Sequence, residues 1–147
     1  MASTKNIHRI KRICSIAENK EKTQLSQWQQ AKDEVEAGHS RLNQLNDYFQ
    51  NYTTDPTKTP GVSATLYSNR QLILDLVRGA VIHQKGEIKK SEEIESREYM
   101  HLMKLSTEKK TYEKIHENRT KSLTDEERKH ESKINQEIML QMFLRTK

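Results

Sequence analysis

Apolar residues recur every three to four positions along most of this chain, and the recurrence breaks once. From about residue 7 to residue 52 the spacing fits a heptad. Position a falls on Ile7, Cys14, Glu21, Trp28, Val35, Leu42 and Phe49, and position d on Ile10, Ala17, Gln24, Ala31, Gly38, Leu45 and Tyr52. Eleven of these fourteen positions are apolar, where about five would arise by chance in a chain that is one-third apolar. From about residue 64 a second frame runs through Tyr67, Leu74, Val81, Ile88, Glu95, Leu102 and Lys109 at a. Its d positions are Arg70, Val77, Gln84, Ser91, Glu98, Leu105 and Tyr112, and eight of the fourteen are apolar. Continued through His116 to Lys147, the frame holds only three apolar residues in ten. Sustained a/d seams predict coiled-coil helices, and this one fades near Tyr112.

Both prolines, Pro56 and Pro60, lie between the two frames, with Gly61 and Ser63 beside them. Proline removes a backbone donor and disfavours helix in the residue before it, so the helix stops here. Ser63 or Thr65 can cap the next one. The fold expected is all-α: two long helices in an antiparallel coiled-coil hairpin, the second longer than the first. It is one domain over residues 1–147, with helix 1 at about 7–52, the turn at 53–63 and helix 2 at about 64–145. A reversal near residue 58 makes the numbers of facing residues add to about 117. Ile7 is then level with about residue 110, and the polar gap at Glu21 and Gln24 is level with 93–96. Gly79 and Gly86 each weaken helix 2 by about 1 kcal/mol relative to Ala and mark a flexible point.

Composition narrows the reading. The chain has 147 residues, 32% apolar and 32% charged, with four Gly and two Pro. That suits a narrow buried seam rather than a thick core or a loop-rich β fold. Cys14 is the only cysteine, so no internal disulfide forms. The N-terminus lacks the apolar run of a secretory signal, and no stretch reaches the length of a membrane span. The place expected is the cytoplasm.

Chemistry is sparse. No two of the six histidines stand three or four apart, so no helical His–His metal face exists. Nucleotide, zinc-protease and CxxC motifs are absent. Cys14 sits at a seam position with no histidine one turn away, which is packing rather than nucleophile activation. The carboxylates of Glu92, Glu93, Glu95 and Glu98 lie among Lys and Arg on helix faces. No catalytic residue, cofactor site, metal site or small-molecule substrate is expected.

Surface features exceed what a hairpin needs. Residues 1–20 carry net +4, 21–103 net −2 and 104–147 net +3. An antiparallel hairpin gathers the two basic stretches at the end away from the turn, where they suit an acidic pore. Nucleic acid is disfavoured, because Glu is interleaved with the basic residues and aromatics are not. Near the turn, Leu45, Tyr48, Phe49 and Tyr52 accompany Leu72, Ile73, Leu74 and Leu76. Of these, Tyr48, Leu72 and Leu76 fall off the seam, which marks a candidate docking patch. At the C-terminus Ile134, Ile138 and Met142 recur every four residues beside Leu140, Phe143 and Leu144, and Met-rich helices suit adaptable binding.

The helix end RLNQLNDYFQNY, the Gly-containing turn and the segment SNRQLILDLVRGAVIHQ resemble the FliJ family of flagellar type III export. The tail EERKHESKINQEIMLQMFLR is similar to that family's charged run before a short apolar stretch. The resemblance implies a stalk like the central subunit of rotary ATPases. Its partners would be the pore of the hexameric export ATPase, the cytoplasmic domain of the export gate and empty export chaperones. The protein would be peripheral to the inner membrane through those partners only. Carried over by position, the gate surface would be Leu45, Tyr48, Tyr52, Leu72, Leu76, Gly79 and His83. The ATPase surface would be Ile7, Arg9, Lys11, Arg12, Ile138, Met142 and Phe143. The chain departs from the family in its Pro-rich turn and in Leu72, where the family often has Phe. Two alternatives stand beside it: the stalk of a virulence type III secretion system, and an autonomous coiled-coil adaptor or chaperone.

Overall fold

A computed structural model describes residues 4–53 and 64–146. Two helices account for them: α1, Thr4–Thr53, of 50 residues, and α2, Ala64–Arg145, of 82. The expected Pro56–Pro60–Gly61 turn lies outside the described residues. Helices of this length persist because almost nothing within them breaks the backbone. The threonines of α2 fold their hydroxyls onto the preceding turn: Thr107, Thr111, Thr120 and Thr124 each donate to the carbonyl four residues back. That contact satisfies the hydroxyl without a tertiary partner.

The fold is a helical hairpin in which α1 and α2 run antiparallel and α2 is the longer. It divides into two compact units: a hairpin unit, Gln24–Leu102, and a terminal unit made of Met1–Thr23 and Met103–Lys147. In both, the helix pair buries the heptad seam. Every a and d residue of α1 is buried or half-buried, Ile10, Ala17, Gln24 and Gly38 most fully. On α2 the buried residues are Leu74, Val77, Ile88 and Leu102, all at a or d. Tyr67 and Tyr112 were expected in the seam as well, yet they are 62% and 37% exposed.

The register explains the discrepancy. In the hairpin unit Gly38 lies against Ile88, the rings of Trp28 and Tyr99 meet, and Arg78 covers the ring of Phe49. The numbers of these pairs add to 126 or 127, not the expected 117. Because the a and d positions of each helix repeat every seven residues, alignments one heptad apart present the same stripes to each other. A symmetric turn argued for the shorter alignment, whereas the close approach of Gly38 to Ile88 and the Lys109–Glu21 pair belong to the longer one. In the hairpin unit Gln24 Nε2 donates to the Glu98 carboxylate at 2.5 Å and to its carbonyl at 3.0 Å. Trp28 Nε1 donates to Glu95 at 2.8 Å. In the terminal unit Lys109 Nζ reaches Glu21 at 3.2 Å. Polar groups left unmatched in a seam cost more than a few apolar contacts recover.

A later register also moves the point where the seam runs out. Ile115, His116 and Leu123 are still half-buried in the terminal unit, beyond the limit of about residue 110 that the symmetric turn implied. From Thr124 to Thr146 every residue is exposed.

Candidate functional site

The described residues offer surfaces and open clefts. One cleft, about 140 Å³, lies in the terminal unit between Ile13, Ile16, Ala17 and Lys20 on α1 and Leu105, Glu108 and Tyr112 on α2. No cluster of metal-ligating side chains exists among the described residues. No helix among them is long and apolar enough to cross a membrane. Cys14 is half-buried in the terminal unit. Burial, and then the Glu113 carboxylate, push its thiol above the ordinary value, the reverse of what a nucleophile needs.

The first group of expected site residues lies wholly in the hairpin unit. Leu72, Leu76, Gly79 and His83 follow one another at four-, three- and four-residue steps. At 100° per residue they form one stripe of α2, on the side opposite Leu74, Val77, Val81 and Ile88. The stripe is exposed, Leu72 to 60% and Leu76 to 73%. A Cβ built on Gly79 would meet nothing within 4 Å, so packing does not require a glycine there. His83 Nε2 stands 3.9 Å from Glu87.

On α1, Leu45 and Tyr52 are half-buried in the seam, whereas Tyr48 is exposed. The Tyr48 and Tyr52 rings stack with centroids 5.8 Å apart. Arg70 lies over the Tyr52 ring at 5.6 Å and donates to the Tyr52 carbonyl. That cluster anchors the end of α1, so Tyr52 and Leu45 serve packing first and surface second. Ile82, 72% exposed beside the stripe, belongs to this surface and was missed. Its apolar character outside the heptad frame was the signal.

The second group lies wholly in the terminal unit. Arg9, Lys11 and Arg12 are exposed and Ile7 is half-buried. Ile138, Met142 and Phe143 are 48%, 63% and 59% exposed. The C-terminal feature differs from the stripe expected. Met139, Leu140 and Leu144 are also 60–70% exposed, so six of the seven residues from 138 to 144 are apolar and cover about two-thirds of the circumference of α2, the remaining face being that of Gln141. A one-sided stripe suits a groove, but an apolar belt this wide is suited to enclosure. The sequence reading missed Met139 because it followed a four-residue step and not the full helical wheel. Charge accompanies the feature: the terminal unit holds 17 basic and 10 acidic residues, the hairpin unit 9 and 11.

Comparison with known proteins adds one finding. The model of a family described as flagellar FliJ protein matches residues 6–147. No curated protein and no solved structure matches the chain.

Proposed function

The chain belongs to the flagellar FliJ protein family, coiled-coil proteins of flagellar export, and from that premise we propose that it serves as a non-enzymatic central stalk of the export apparatus. In this reading the terminal unit enters the pore of the hexameric export ATPase, promotes ring assembly and raises turnover. The hairpin unit contacts the cytoplasmic domain of the export gate through the Leu72–Leu76–Gly79–His83 stripe and Tyr48. Empty export chaperones are further partners. The protein then works in the cytoplasm, held at the inner membrane through its partners.

The observation that carries the reading is the apolar helix end at 138–144 within a unit of net charge +7. Water is a poor environment for an apolar belt whose polar face is narrow, and a ring pore would supply walls around it. The basic residues Arg9, Lys11 and Arg12 would steer that end toward an acidic opening. A seam that buries one stripe of each helix resists shear, as a stalk that biases the subunits of a ring must.

Titrating the purified chain into its cognate export ATPase tests this. Turnover and hexamer formation rise with the intact chain, and Ile138→Glu with Met142→Glu abolishes both effects while helicity is unchanged. An intact chain that alters neither property removes the ATPase assignment. Leu72→Glu with Leu76→Glu is expected to abolish capture of the gate domain and to leave ATPase stimulation in place.

A further inference from the structure

We infer that the last stretch of α2 is a docking stripe for the same stretch of a second copy of this chain, laid antiparallel. Leu123 is the last half-buried residue of α2. Beyond it, Glu127, Glu131, Ile134, Ile138, Gln141 and Arg145 follow at steps of four, three, four, three and four residues. That is the spacing of a coiled-coil seam. At 100° per residue the stripe begins within about 40° of Leu123, so it prolongs the face of α2 that packs in the terminal unit. All six residues are exposed, Ile134 to 41% and Ile138 to 48%.

The order of the six residues says what covers them. Along the stripe they run acidic, acidic, apolar, apolar, amide, basic, and the complement of that order is its own reverse. With facing numbers adding to 272, Ile134 packs on the partner's Ile138 and Ile138 on the partner's Ile134. Glu131 accepts from the amide of the partner's Gln141, and Glu127 pairs with the partner's Arg145. Twofold symmetry makes each contact twice. A parallel pairing would set Glu127, Glu131 and Arg145 each against its own copy, so charge fixes the direction. Met142 and Leu144 border the stripe and lose water as well. Glu137 faces its own copy at the rim and opposes the pairing. The stripe is about 27 Å long, so the contact is small and the dimer belongs to the weak, transient class. It shields, in the free chain, part of the belt that the proposed ring pore would enclose. Ile138 and Met142 serve both partners, so dimer and ring complex exclude one another, although the pairing itself does not depend on the pore.

Sedimentation velocity of the full chain, with no ATPase present, tests this from about 10 µM to about 1 mM, the range of a weak contact. The chain passes from monomer to dimer, and added salt weakens the dimer. Glu127→Arg sets Arg against Arg, and Arg145→Glu sets Glu against Glu. Each weakens dimerisation at least about tenfold while helicity at low concentration is unchanged. An equimolar mixture of the two variants restores the dimer, because both facing pairs are again opposite in charge. Spin labels at exposed positions in a Cys14→Ala background read the direction. Along the axis, Ser132→Cys labels stand about 12 Å apart and Ser122→Cys labels about 42 Å apart, whereas a parallel pair gives both the same spacing. A chain that stays monomeric throughout, charge reversals without effect, a mixture as weak as its components, or equal label spacings overturns the antiparallel dimer.

Discussion

The hairpin unit and the terminal unit are made of the same two helices, yet they differ in what those helices leave outside. In the hairpin unit both helices contribute to the buried seam, and Leu72 and Leu76 stand in an exposed stripe on the back of α2. Its charge is close to balanced, at −2. In the terminal unit α2 outlasts α1, everything from Thr124 to Thr146 is exposed, and the charge is +7. A paired helix needs an apolar seam, and a solo helix does not. Apolar residues in the unpaired stretch thus answer to something other than the fold. That is why the same residue type reads as core at Leu74 and as partner surface at Leu144.

The largest test of that contrast is truncation in each region. Leu74→Ala removes a side chain that is 4% exposed and is expected to cost about 2–3 kcal/mol. Ile138→Ala, at 48% exposure, is expected to stay within about 0.5 kcal/mol of the parent. Urea unfolding followed by circular dichroism measures both. Equal losses would mean that the last stretch of α2 is packed, and the division between core and surface would fall.

The glycines give a smaller effect of both signs within the hairpin unit. A Cβ on Gly38 would stand 3.1 Å from Ile88 Cγ1, whereas Gly79 and Gly86 have nothing within 4 Å. Gly79→Ala and Gly86→Ala should each stabilise by roughly 0.5–1 kcal/mol from helix propensity. Gly38→Ala should fall at least about 1 kcal/mol below either, because the crowded methyl offsets that gain. Midpoints in thermal unfolding rank the three.

Two titrations come last, both in the terminal unit. The hydrogen bond to Glu21, and then the carboxylates of Glu21, Glu113 and Glu18, raise the pKa of Lys109, against a smaller opposing effect of burial. The stabilisation is therefore full below the unfolded lysine value of about 10.4 and is lost as pH rises through the higher folded value. A small excess in melting temperature of the parent over Lys109→Met at pH 8 should shrink in strongly alkaline buffer. Cys14 is shifted in the same direction, by burial first, so folding favours its thiol. Alkylation of Cys14 near pH 9 should be slower in the folded chain than in urea, and stability should decline slightly as pH passes the ordinary thiol value.

Much of the molecule could be read before any coordinates. Every a and d position assigned to α1 is at least half-buried, because a heptad repeat of this length leaves only one stripe that can bury. The off-frame apolar residues Leu72, Leu76 and Tyr48 are exposed for the same reason. The alignment of the two helices was not readable in that way. Two alignments satisfy the same heptads, and the one that forms is marked by contacts between helices, Gly38 against Ile88 and Lys109 with Glu21. The wide apolar belt at the end of α2 was only half seen, since a four-residue step picks out one face and overlooks Met139.

Periodicity and the two prolines were therefore enough to settle helix, reversal, helix and the identity of the buried stripe, since these follow from local geometry repeated along one chain. Which residue stands across from which was settled by packing. Side chains far apart in sequence had to satisfy hydrogen bonds and close approach together, and no repeat within a single helix carries that information.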